Sequence, residues 1–137
     1  MKQHIYLRAY MAGIVVPTIF LLVVATFFIV FRYVYNVPIP VERVIIFPMA
    51  VVPNAWGLWN VLFVALRDRW QLSIGLHGAL LPILLAPLGI VVASLLNLPV
   101  PNFFTHAFPI AAPVGLIVYY LAWKYLVGFL NRVQEIA

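Results

Sequence analysis

Long apolar runs separated by short polar clusters account for nearly the whole chain. Residues 9–31, 44–66 and 72–96 contain no Asp, Glu, Lys or Arg, and residues 107–124 carry only Lys124 at their end. A helix crosses a hydrocarbon core of roughly 30 Å with about 20 residues, and each run meets that length. The runs are continuous rather than alternating, which excludes barrel strands. The pattern predicts an all-α membrane protein, a four-helix transmembrane bundle forming one domain over residues 1–137. The first run is read as a retained span. It is longer than the apolar stretch of a signal peptide, and no small-x-small cleavage pattern precedes Arg32. Residues 125–137 mix Leu126, Val127, Phe129, Leu130 and Val133 with Asn131, Arg132, Gln134 and Glu135. They predict an amphipathic cytoplasmic tail, lying at the interface or docking on a partner.

An exact spacing ties the two halves of this pattern together. Asn36-Val-Pro-Ile-Pro40 and Asn97-Leu-Pro-Val-Pro101 are 61 residues apart, and Phe47-Pro48-Met49-Ala50 and Phe108-Pro109-Ile110-Ala111 keep the same offset. Six of the fifteen positions from Asn36 to Ala50 are identical to their counterparts, where chance in this composition gives about one. Two tandem parallel hairpin repeats, residues 1–66 and 67–137, account for this. Each runs out and back, and a pseudo-twofold along the membrane normal relates them. The competing explanation is convergent turn chemistry, since proline suits the first turn of a helix.

Composition agrees and narrows the function classes. The chain is 66% hydrophobic and 8% charged, with a mean hydropathy of +1.13, against about 25% charged residues in soluble domains. A soluble enzyme and a disordered tail are excluded. Cysteine is absent, which removes disulfides and thiolate chemistry. The net charge of +5 comes from eight Lys and Arg residues that sit at span ends, so they speak for membrane orientation rather than nucleic acid. Lys2, Arg8, Arg67, Arg69, Lys124 and Arg132 fall on one side, and Arg32 and Arg43 on the other. The positive-inside rule then places both termini in the cytoplasm, with a bacterial plasma membrane as the expected setting.

Polar groups inside spans are costly and need partners, so they are the candidate site. Asn54, Trp56, Trp59 and Asn60 follow Pro53 in the second span, and His77 stands between Gly75 and Gly78 in the third. Asn54 is about ten residues, or ~15 Å, from the outer edge, which places it near the midplane. Asn60 and His77 are each about six residues from the inner edge, either side of Arg67-Asp68-Arg69. Equal depth predicts a hydrogen bond between them, with Trp56 or Trp59 packed near Gly78. Gly75 with Ala79, and Gly89 with Ala93, are small-residue pairs suited to close helix packing. His77 and His106 sit at opposite membrane edges, too far apart to share a haem, and no span carries a carboxylate for a hydrolytic metal. Neither a cofactor nor a metal is expected. Acids number only Glu42, Asp68 and Glu135, leaving little for acid–base catalysis. The expected role is a non-enzymatic accessory, assembly or scaffold subunit, with membrane lipids, other membrane subunits or further copies of itself as partners. The rival is a homo-oligomeric transporter or channel with its pathway near Asn54, Asn60 and His77. An enzyme acting on lipid through His77 ranks last, for want of a nucleophile.

Overall fold

The computed structural model describes residues 4–38, 41–95, 97 and 102–136, with side chains described for all of these except 41–50 and 102–105. Helix α1 spans Ile5–Tyr33, α2 Val41–Trp70, α3 Ile74–Leu95 and α4 Asn102–Leu121. A wider π-helical stretch, Ala122–Val127, carries α4 into α5, Gly128–Val133. Among the described residues, three helical segments, Ile5–Tyr33, Ile74–Leu95 and His106–Val133, are long and apolar enough to cross a membrane. The protein is therefore an integral, multi-spanning helical bundle. Helix α2 has 30 residues, ~45 Å at 1.5 Å each, and connects the α1 and α3 spans. Its Asn54, Asn60 and terminal Arg67-Asp68-Arg69 make it less apolar than its neighbours.

The α2–α3 connection differs from the sequence expectation. Arg67, Asp68 and Arg69 belong to the last turn of α2, and the linker is residues 71–73. Cations are favourable at a helix C-terminus because they face its negative dipole end, so the charges extend the helix rather than end it. Termination falls to Gln71, whose φ is 47° and whose N–H donates to Arg67 O at 3.1 Å. Ser73 then caps α3, its Oγ accepting from the Leu76 N–H at 3.3 Å.

The two proline-rich turns lie largely outside the described residues. What is described keeps the 61-residue spacing. Asn36 and Asn97 both take left-handed backbone, φ 53° and 51°, a conformation asparagine tolerates better than most residues. The following helices begin at Val41 and Asn102.

Among the described side chains, the buried residues gather toward the end of the molecule that holds the start of α1 and the C-terminal segment. They are Ala9, Ala12, Gly13 and Pro17 of α1, Trp56, Gly57, Asn60 and Val64 of α2, Gly75, His77, Gly78 and Leu81 of α3, and Trp123, Val127, Gly128, Asn131 and Ile136. The most extensive helix contact is between α1 and α2, and α3–α4 comes next. The α1–α2 approach is backbone on backbone. A Cβ at Gly13 would stand 2.6 Å from the Trp56 carbonyl oxygen and 2.8 Å from Gly57 Cα. Small residues let helices in lipid gain dispersion contacts that larger ones would block. Two glycines of α3 make room for side chains instead: Gly75 admits the Tyr120 ring and Gly78 admits Trp123.

The C-terminal segment docks on its own chain. Val127 and Asn131 face inward, while Leu126, Phe129 and Val133 are exposed. The inward face is thus not the most apolar one, because Asn131 has a polar partner waiting on α2. Helix α5 ends in a Schellman motif: the Ile136 N–H donates to Asn131 O at 2.9 Å and the Glu135 N–H to Arg132 O at 3.0 Å, with Glu135 left-handed at φ 56°. That turn drives Ile136 into a pocket with Ala9 and Val64. Arg8 donates to Gln134 O at 2.8 Å and Arg67 to Ile136 O, so cations from α1 and α2 hold the carbonyls that the helix end leaves over.

Candidate functional site

Three polar clusters arise where these elements meet. The first joins α2 to α5 and α1. Asn60 and Asn131 form a reciprocal amide pair: Asn60 Nδ2 donates to Asn131 Oδ1 at 2.7 Å, and Asn131 Nδ2 donates to Asn60 Oδ1 at 3.0 Å. Asn60 Nδ2 also donates to Ala9 O at 2.7 Å. Both side chains are buried, Asn60 at 0% and Asn131 at 1% exposure. Ala9 and Gly13 have no bulk to keep α1 away, which is why a main-chain carbonyl can reach the amide.

The second joins α2 to α3. The Trp59 indole N–H donates to His77 O at 2.7 Å, and His77 Nε2 contacts Trp59 O at 2.8 Å. A carbonyl only accepts, so Nε2 carries the proton in this contact. The two rings stack with centroids 4.7 Å apart and planes at 23°. Phe63 lies against the other side of the network, 5.3 Å from the imidazole centroid.

An aromatic core adjoins it. Trp123, fully buried, meets His77 edge-on at 5.9 Å and Trp56 at 5.3 Å. Trp56 packs against Tyr119 at 5.1 Å, with a long indole N–H to hydroxyl contact of 3.4 Å. The π-helical stretch supplies Trp123. An extra residue in a helical turn shifts the side chains that follow it around the axis, and here Trp123, Val127 and Asn131 all face the bundle.

The third cluster is on the outside of the α1–α2 pair, where the Tyr10 hydroxyl donates to Asn54 Oδ1 and Asn54 is exposed.

One expectation is corrected here and a second is met in part. Asn60 does not pair with His77; its partners are Asn131 and Ala9. Equal depth did bring α2 and α3 together, but one position along a helix is ~100° of rotation, and that turns Trp59 toward His77 and Asn60 away. Trp59 does lie beside Gly78, its indole N–H on the His77 carbonyl, but the space left by the missing Gly78 side chain is taken by Trp123. The residue missed was Asn131. The sequence pattern groups it with Arg132, Gln134 and Glu135 on the polar side of an amphipathic tail, although its four-residue spacing puts it on the same helical face as Val127.

No protein-family model, curated protein or solved structure matches this chain. Among the described residues, no cluster of three or more His, Cys, Asp or Glu could hold a metal ion. The site can therefore be read only from its own geometry, which joins helices with hydrogen bonds and ring contacts.

Proposed function

We propose that the protein is a non-enzymatic accessory, assembly or scaffold subunit of a membrane complex. The observation that carries this reading is the mutual pairing of the buried amides and of Trp59 with His77, beside a Trp123 indole N–H that is buried without a hydrogen-bond partner. Asn60 bonds Asn131 and Ala9, and Trp59 and His77 bond each other. Groups that line a permeation path must offer hydrogen bonds to a passing solute, and these are engaged across helix contacts instead. The exposed apolar side chains of α1, α3 and α4 are suited to lipid and to neighbouring helices.

Purification in a mild detergent and reconstitution test this directly. Stoichiometric association with one or more other membrane subunits in native mass spectrometry is expected, together with proteoliposomes of the pure chain that pass no small solute or ion. Saturable flux that is lost on replacing Asn54, Asn60 or His77, in a pure homo-oligomer, would establish the transporter reading in its place.

Four spans with cytoplasmic termini, built as two duplicated hairpins, complete the proposal. Support comes from the six-to-two division of Lys and Arg and from the 61-residue spacing of the left-handed asparagines and the helix starts. Reporter fusions at Asp68 and after Glu135 should be cytoplasmic and those at Glu42 and Asn102 external. An external signal at Asp68 reverses the topology.

A further inference from the structure

The outer surface of the α3–α4 pair carries a groove with an almost wholly apolar lining. Leu72, Leu76, Leu80 and Ile83 form one wall, Leu116 of α4 the other, and Ala79 leaves the space between them. Its residues on α3 recur every three or four positions, so the groove follows the helix axis for ~10 Å from Leu76 to Ile83, with Leu72 of the linker at its end. That is the form of a slot for an extended hydrocarbon chain.

One end of this slot is basic. The antiparallel register follows from Tyr120, whose ring lies against Gly75, one turn of α3 from Ala79. Lys124 is the next turn of the same helix. Its Nζ is 5.8 Å from the Tyr120 ring centroid and 5.3 Å from that of Tyr125, so two aromatic faces hold the ammonium close to the Gly75 turn of α3. Lys124 itself is exposed, as are Arg69 and Trp70 in the approach to the linker, with Asp68 alongside. Cations and amphipathic aromatics at one level mark the headgroup region.

The geometry points to a binding site for an anionic glycerophospholipid, with one acyl chain in the α3–α4 groove and the phosphate at Lys124. Charge complementarity selects the occupant. A zwitterionic lipid brings its own cation to a mouth that already holds one, whereas a headgroup of net negative charge meets Lys124 with no cation of its own. Hydrocarbon contact alone would not discriminate between the two lipids. One cation near an anionic lipid contributes about a fivefold preference.

The test is native mass spectrometry of the full chain in detergent, titrated with phosphatidylglycerol or phosphatidylcholine of identical chains. Wild type should prefer phosphatidylglycerol about fivefold or more. Lys124→Gln should bring the ratio close to one with no change in thermal melting, since Lys124 is on the surface. Ala79→Phe, which fills the groove floor, should lower binding of both lipids; Ala79→Leu substitutes for it should the phenylalanine variant not fold. An undiminished preference in Lys124→Gln overturns the proposal. So does unchanged lipid binding in the folded Ala79 variant, which would assign the headgroup contact to the surface without the groove.

Discussion

Gly78→Leu is expected to break the packing of α3 against the π-helical stretch that continues α4. A Cβ at Gly78 would come 2.0 Å from Trp123 Cγ and 2.3 Å from its Cβ, well inside contact distance. The indole has nowhere to go, since it is fully buried and bounded by Trp56 and His77. Overfilling a packed core ordinarily costs about 1–3 kcal/mol, and a branched side chain against an immobile ring belongs at the upper end, about 3 kcal/mol. Reversible unfolding in mixed detergent measures it. Gly78→Ala should act in the same direction with a smaller effect. Pairing it with Trp123→Leu should recover part of the loss, because the smaller side chain gives the new methyl room. A Gly78→Leu protein as stable as wild type would mean that Trp123 does not occupy this space.

The importance of that joint was half visible in the sequence. Apolar run lengths gave the helices, because the hydrocarbon thickness dictates them regardless of what each helix touches. The depth of His77 relative to the α2 terminus was also legible, since residue counts from a short linker measure it. Facing was not. The difference between Asn60 and Trp59 meeting His77 is a single residue of rotation, and both patterns satisfy the same hydropathy. Trp123 is a similar case. Its position at a span end suits an interfacial belt, and nothing local announces the π-helical turn that directs it inward against Gly78. Helix ends were blurred for another reason. Charge in Arg67-Asp68-Arg69 resembles a turn, but a helix C-terminus favours cations, so α2 extends through it to a left-handed Gln71. The Ala9–Gly13–Pro17 stripe of α1 was legible in principle as small residues four apart, and it is where α1 and α2 come closest.

Asn60→Leu carries the second large effect, and its interpretation bears on the proposed function. The substitution removes both donors that Asn60 Nδ2 gives to Asn131 and Ala9, and it leaves the Asn131 amide buried without its reciprocal partner. Stranding a buried polar group costs about 1–3 kcal/mol, while helix hydrogen bonds in membranes average nearer ~0.6 kcal/mol because the unfolded helices also find partners. A two-donor, fully buried pair should fall between these, at about 2 kcal/mol. Asn131→Leu should cost a similar amount for the same reason. The double variant is the decisive one. With both amides gone no donor is stranded, so Asn60→Leu/Asn131→Leu should be less destabilised than the sum of the two singles by about 1 kcal/mol. Additivity within ~0.3–0.5 kcal/mol would show that the amides do not interact. If the pair is a helix clamp, the double variant should still associate with its partner subunits and remain impermeable in proteoliposomes. A double variant that keeps its stability yet fails to assemble would instead place Asn60 and Asn131 in recognition of a partner, with the bundle serving to present them.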